Sequence, residues 1–240
     1  MSRKTLLAVL AHPDDESFAV GGTLVRYAVQ GVNVDLIVAT RGEAGIPGKK
    51  SWEAGEIRES ELRKACLNLG IRMLDFLGFT DGQLSEVPDE KAVGRLVEKM
   101  RRSHADVVIT FGPEGISGHP DHVAVSRWTT MAVDRLSQEP GGPRRLYYIV
   151  PSEAAQQSCG APLEDEAAGG PVASIDIDAF RVVKVRATRQ HKSQNPPPFR
   201  EGLKDAAAKL ACHEVFRLAR PIGADHRNGS GDDLFGGMGD

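Results

Sequence analysis

Between Leu6 and Val150, short apolar runs alternate with longer amphipathic stretches, and this alternation leaves few folds open other than a parallel sheet crossed over by helices. The run Leu6–Leu10 stops abruptly at a polar cluster, as a strand buried on both faces does when it leaves its sheet. The spacing predicts a helix over Gly22–Gln30 closed by Gly31, a strand over Val34–Ala39, a helix over Glu56–Leu69 closed by Gly70, and a strand over Arg72–Leu77. A turn at Asp81-Gly82, a helix over Glu90–Arg102, a strand over Asp106–Phe111, a loop over Pro113–Gly118, a helix over Val123–Leu136 and a strand over Leu146–Val150 complete the regular part. Thr40–Glu53 is polar, Gly-rich and too long for a simple connector, so it reads as a loop facing a site.

The remainder is less regular. Residues 151–171 are Ala-, Gly- and Gln-rich and read as a flap. Val172–Ile177 reads as an edge strand, Phe180–Gln190 as a helix broken before Pro196-Pro197-Pro198, Leu203–Leu210 as a short helix and Val215–Leu218 as a last strand. From Gly223 onward, glycine and the scarcity of apolar residues predict disorder. The expected architecture is therefore a Rossmann-like, three-layer, doubly wound α/β fold with a mostly parallel sheet, forming one domain over residues 1–222, with a disordered tail over 223–240.

Composition narrows the function classes. At a net charge of -3 no basic field recommends nucleic acid or an anionic membrane as partner. No stretch approaches the roughly 20 apolar residues of a membrane span, and the run Leu6–Ala11 is too short for a signal-peptide core. Cys66, Cys159 and Cys212 are odd in number and widely spaced, against a disulfide framework, so the expected setting is reducing and cytoplasmic.

Two clusters carry the chemistry: His12-Pro13-Asp14-Asp15-Glu16 after the first strand, and His119-Pro120-Asp121-His122 after the fourth. In open α/β sheets, ligands bind beyond the carboxyl ends of the strands at a topological switch point, and strands one and four can flank it. A catalytic zinc takes about three protein ligands and keeps one position open. The first cluster offers His12, Asp14, Asp15 and Glu16; the second offers His119, Asp121 and His122. Asp14 and Asp15 are adjacent and should divide labour between ligand and base, and His119 and His122 can divide labour likewise. Taken alone, either cluster could be a helix N-cap or a His-Pro turn; two of this composition at strand-to-helix junctions point to a metal site.

These motifs resemble the LmbE/PIG-L-like N-acetylglucosaminyl deacetylases: Ala11-His12-Pro13-Asp14-Asp15-Glu16 with Gly21-Gly22-Thr23, then Gly118-His119-Pro120-Asp121-His122, and a weaker echo at His191-Lys192-Ser193-Gln194. The resemblance covers roughly residues 4–150 in pattern. It implies a zinc-dependent hydrolase that removes an N-acyl group from a small sugar-like substrate, with a homo-oligomer as a common state of relatives. It implies His12, Asp15 and His122 as zinc ligands and Asp14 as general base. His119 would hold the oxyanion or protonate the amine, with Asp121 tuning it. Arg58, Asp81 and His191 would contact substrate. The same mixed N/O ligand set also suits iron(II), cobalt or manganese. One departure is Ser117, where some thiol-cofactor deacetylases of the family carry a tyrosine; Tyr27, Tyr147 or Tyr148 would have to substitute. This leaves a broader amidase acting on a thiol conjugate or a modified natural product as the second enzymatic reading.

Two non-catalytic readings fit less well. A nucleotide-binding module needs a glycine-rich phosphate loop after strand one, where this chain places carboxylates that repel a pyrophosphate. A structural zinc is closed by about four ligands, usually with thiolates.

Overall fold

The computed structural model describes residues 3–150, 172–194, 202–221 and 231–238. Its elements in chain order are β1 (Thr5–Leu10), α1 (Asp15–Phe18), α2 (Gly21–Val29), β2 (Asn33–Val38), α3 (Ser51–Leu69), β3 (Met73–Phe76), α4 (Asp89–Ser103), β4 (Val107–Phe111), α5 (Gly115–Gly118), α6 (Pro120–Leu136), β5 (Arg145–Ile149), β6 (Val172–Asp176), α7 (Arg181–Thr188), α8 (Leu203–Ala208) and β7 (His213–Pro221).

The strands form one sheet in the order β3-β2-β1-β4-β5-β7-β6. The first five are parallel, and β7 and β6 join antiparallel. The chain runs outward from β1 through β2 to β3, then crosses back to β4 and continues to β5. Right-handed crossovers require α2 and α3 to cover one face and α4 and α6 the other. The packing agrees, since α2 meets α3 while α4 meets α6. β1 lies at the centre with Leu6, Leu7, Ala8, Val9 and Leu10 completely buried, as its unbroken apolar run requires of a strand covered on both faces. The carboxyl ends of β1 and β4, neighbours in the sheet, frame the switch point predicted for the two histidine clusters.

Three boundaries move for physical reasons. α3 begins at Ser51, which shortens the site-facing loop. α6 begins at Pro120, because proline is suited to a first helical turn; this puts Asp121 and His122 inside the helix. β7 is nine residues long because it is paired on both sides, by β5 and β6.

The disorder predicted from 223 is corrected for residues 231–238. Leu234, Phe235 and Met238 are buried in the main core. The fully buried Arg145 donates to the carbonyls of Leu234 and Gly236, and the Tyr27 hydroxyl accepts from the Leu234 N–H. A few well-placed apolar residues and a buried guanidinium are enough to dock a segment that is glycine-rich on average. The flap predicted at 151–171, the triple proline and the rest of the tail lie outside the described residues.

Candidate metal centre and active site

After β1 the chain turns sharply. Asp14 has φ 121° and ψ -29°, a conformation that strains any side chain by about 1–3 kcal/mol. The turn is braced from both sides. The Asp14 N–H donates to Glu16 Oε2 at 3.0 Å, and the Asp14 carbonyl accepts from the Ser17 and Phe18 N–H groups. Glu16 is completely buried, and its other oxygen takes bonds from the Ser17 hydroxyl and from His191 Nε2 at 2.7 Å. Asp15 Oδ2 accepts from the N–H of His12 at 2.8 Å and of Ala11 at 3.2 Å.

The second cluster opens α6. His119 is the N-cap, its Nδ1 accepting from the Asp121 N–H at 3.2 Å, so the ring proton sits on Nε2. His122 donates through Nδ1 to the Gly115 carbonyl at 3.1 Å and stacks on Phe111 with ring centroids 4.0 Å apart. Ile116, in the turn carrying that carbonyl, has φ 63°, a second strained non-glycine residue beside the site.

The clusters converge. His12 Nε2 lies 3.0 Å from Asp121 Oδ2 and 3.1 Å from Asp81 Oδ1; carboxylates only accept, so the proton is on Nε2 and Nδ1 faces the opposite way. His12 Nδ1 stands 3.3 Å from His122 Nε2, which in turn is 3.4 Å from Asp15 Oδ1. Donors about 2.0–2.1 Å from a tetrahedral ion stand roughly 3.3 Å apart; the two distances from His122 fit that spacing, and the third side, from His12 Nδ1 to the Asp15 carboxylate, is wider at 3.8 Å. Each histidine has its other nitrogen committed to an oxygen acceptor, the arrangement that orients metal-ligating imidazoles. Among the described residues, the same three form one of two groups whose donors lie within 4.8 Å of one another; in the other, His12, His119 and Asp121, the carboxylate is already engaged by the Gly82 and Leu84 N–H groups and by His12.

Burial opposes charge on His12, but its bonds to Asp121 and Asp81 and the nearby Asp15 outweigh it and push the imidazole up to about 10. Desolvation also pushes Asp15 upward, and its bond from His122 outweighs that to hold it below the usual carboxylate range. Asp14 is raised to about 7, by burial first and by its neighbour Asp15 second, against the pull of Arg58. His119 is lowered by burial and by the two neighbouring imidazoles.

Beside the triad is a polar pocket of about 410 Å³ lined by Asp14, Arg58, Asp81, His119 and Gln194 among others. Arg58 is buried, not a solvated surface group: it donates to the carbonyls of Pro13 and Gly42 and pairs with Asp14 at 3.4 Å and Asp81 at 3.7 Å. A Cβ on Gly42 or Gly45 would meet its guanidinium, so a larger residue at either position would displace Arg58 from its place, and Gly42 also has the positive φ of 74° that favours glycine.

The geometry changes two expected roles and adds to a third. Asp121 meets His12 through its carboxylate and His119 only through its backbone, so it tunes His12 and not His119. His191 is completely buried against Glu16, away from the polar pocket, and braces the Asp14 turn where a substrate contact was expected. Asp81 lines the pocket, where a substrate contact was expected, and in addition holds His12 and the Ala44 N–H. Two participants were missed: Glu16, weighed only as a ligand, and Gln194, which lines the pocket and donates to the Gly45 carbonyl. The His191-Lys192-Ser193-Gln194 echo was the available signal for Gln194. None of the three tyrosines replaces the family's phenol. The Tyr27 and Tyr147 hydroxyls bond to the 231–238 segment and that of Tyr148 to Thr130.

The chain is similar to several known proteins. A 1D-myo-inositol 2-acetamido-2-deoxy-alpha-D-glucopyranoside deacetylase from Saccharomonospora viridis is 34% identical over 278 aligned residues, covering 97% of this chain and 100% of the relative. The N,N'-diacetylchitobiose deacetylase of Pyrococcus horikoshii shares the fold with a TM-score of 0.70 at 20% identity, over 91% of this chain and 84% of that one. The conserved protein TT1542 from Thermus thermophilus superposes with a TM-score of 0.65 at 28% identity, over 91% and 95%. The family model for PIG-L, GlcNAc-PI de-N-acetylase, matches residues 7–133, which include both histidine clusters, and the chain thus belongs to the PIG-L family of hydrolytic N-deacetylases.

Proposed function

We propose that this protein hydrolyses the acetamide of an N-acetylglucosamine-type sugar, with a zinc ion held by His12 Nδ1, Asp15 and His122 Nε2. The observation that carries the reading is the facing pair of imidazole nitrogens at 3.3 Å with the Asp15 carboxylate beside them. When bound, the ion supplies Lewis-acid activation to water and to the amide carbonyl.

The remaining work falls to the chain's own side chains. Asp14, next to the triad and poised near neutrality, accepts a proton from the attacking water and returns it to the departing amine. His119 offers its Nε2–H to the oxygen that becomes negative as the carbonyl is attacked. Asp121 and Asp81 hold the His12 tautomer, and Arg58 fixes the Asp14 carboxylate while presenting positive charge to the sugar pocket. The polar pocket matches hydroxyl groups on the amine side of the bond, as in the substrates named for the relatives.

The test is release of free amine from N-acetylglucosamine and from its inositol glycoside by zinc-loaded protein, beside an Asp14→Asn variant. Wild-type hydrolysis with loss of at least 100-fold in the variant, and unchanged zinc content, is the expected result. Loss of zinc from Asp14→Asn would show that Asp14 is a ligand and overturn the division of roles.

A further inference from the structure

Bordering the triad residues Asp15 and His122 is a second cavity of about 330 Å³, walled also by Phe18, Phe111, Ile116, Ile149, Ile177 and Leu210. Asp15 and His122 belong to the walls of both spaces, so both border the same pair of candidate ligands. Their chemistry is opposite. The first is lined by carboxylates, an arginine and a glutamine; the second is mostly apolar. Its polar wall residues include Lys184, Glu214, Lys209 and His213. The buried Lys184 and Glu214 are bonded to each other at 2.6 Å, and Glu214 also accepts from the Gly22 and Thr23 N–H groups, so this pair is satisfied within the protein; His213 Nδ1 is buried without a hydrogen-bond partner among the described residues.

An amide has two sides. With the sugar in the polar pocket and the carbonyl at the triad, the acyl chain is directed toward the apolar cavity. An acetyl group needs room there for one methyl, close in size to the ~30 Å³ of a water molecule. The cavity holds roughly ten times that, within the range of pockets that take small ligands.

The geometry points to an N-deacylase that accepts acyl chains well beyond acetyl, with a medium-length aliphatic chain seated between Phe18, Phe111 and Ile149. This inference rests on the hydrolytic reading above and adds a substrate class to it. The chemistry is unchanged: the amide C–N bond breaks, water's oxygen forms the new C–O bond, one water proton goes to the amine, and a fatty acid leaves. Burying each added methylene is worth about 0.8 kcal/mol at most, which corresponds to a two- to fourfold gain per carbon.

The experiment is a chain-length series on the zinc-loaded protein: glucosamine N-acylated with acetyl, butyryl, hexanoyl and octanoyl, read as kcat/KM for free amine. A rise of at least tenfold from acetyl to hexanoyl is expected. Ala211→Phe, at a cavity wall position outside the triad and the polar pocket, should abolish that rise while leaving acetyl hydrolysis within about twofold. Values that stay flat or fall with length overturn the inference and leave deacetylation standing; so does a rise that survives Ala211→Phe, because the chain would then lie elsewhere. No hydrolysis at any length, acetyl included, sinks the hydrolytic reading itself. If Ala211→Phe fails to fold, Leu210→Trp at the same wall serves the same purpose.

Discussion

Asp14 should make the folded chain less stable than its own variants, through two separable effects. The first is backbone strain. At φ 121° and ψ -29° only glycine is at ease, and the strain costs about 1–3 kcal/mol for any other residue. Glycine loses about 0.4–1 kcal/mol relative to alanine through the unfolded chain. Asp14→Gly should therefore exceed Asp14→Ala in stability by about 1–2 kcal/mol, whereas an unstrained position gives the opposite order. The second effect is charge. In the metal-free protein the carboxyl is raised from 3.8 to about 7, so the folded state holds its proton over a window in which the unfolded chain has lost it. The penalty is absent below the unfolded value, grows as pH rises from about 4 to 7 and is constant above. At roughly 1.4 kcal/mol per unit over some three units its ceiling is about 4 kcal/mol. Asp14→Asn keeps the backbone strain and removes the charge, so its advantage should be small at pH 4 and full at pH 8. Urea unfolding of chelator-treated protein at both pH values measures all four chains. Asp14→Ala more stable than Asp14→Gly would refute the strain, and an Asp14→Asn advantage independent of pH would refute the electrostatic argument.

Two further outcomes concern the metal. Asp121→Asn removes the carboxylate that holds the His12 Nε2 proton, and zinc affinity measured by chelator competition should weaken by about 10- to 100-fold. An unchanged affinity would mean that Asp121 does not orient the ligand. Because metal-free His12 is protonated up to about pH 10, zinc must displace a proton, and affinity should rise about tenfold per pH unit between 6 and 8. Titration in two buffers of different protonation enthalpy would reveal that proton; a null result removes the charged His12 from the account.

Much of the framework is legible in the chain because its signals are local. The Leu6–Leu10 run, the glycine closures at Gly31 and Gly70, and the 3.6-residue periodicity between them report burial and capping within a few residues. The elements from β1 to β5 therefore fall close to expectation. The two histidine clusters are equally local. Their residue types and their position after β1 and β4 point to a metal site at the switch point without tertiary information.

What the tertiary structure decided is which partner each polar group meets. His12 and Asp121 are 109 positions apart and Glu16 and His191 are 175 apart. No local pattern distinguishes a carboxylate that orients His12 from one that orients its own neighbour His119, or a histidine that touches substrate from one that braces a turn. The docking of residues 231–238 depends on a buried arginine from β5, and average composition cannot register such a partner. The apolar cavity is assembled from residues scattered between Phe18 and Val215, with neither periodicity nor motif in common. The sequence by itself determined the layered sheet and the chemical types gathered at its switch point, since both follow from short-range pattern. Only the three-dimensional packing decided how those groups divide the work, because hydrogen bonds and cavities are made by residues that the chain alone leaves far apart.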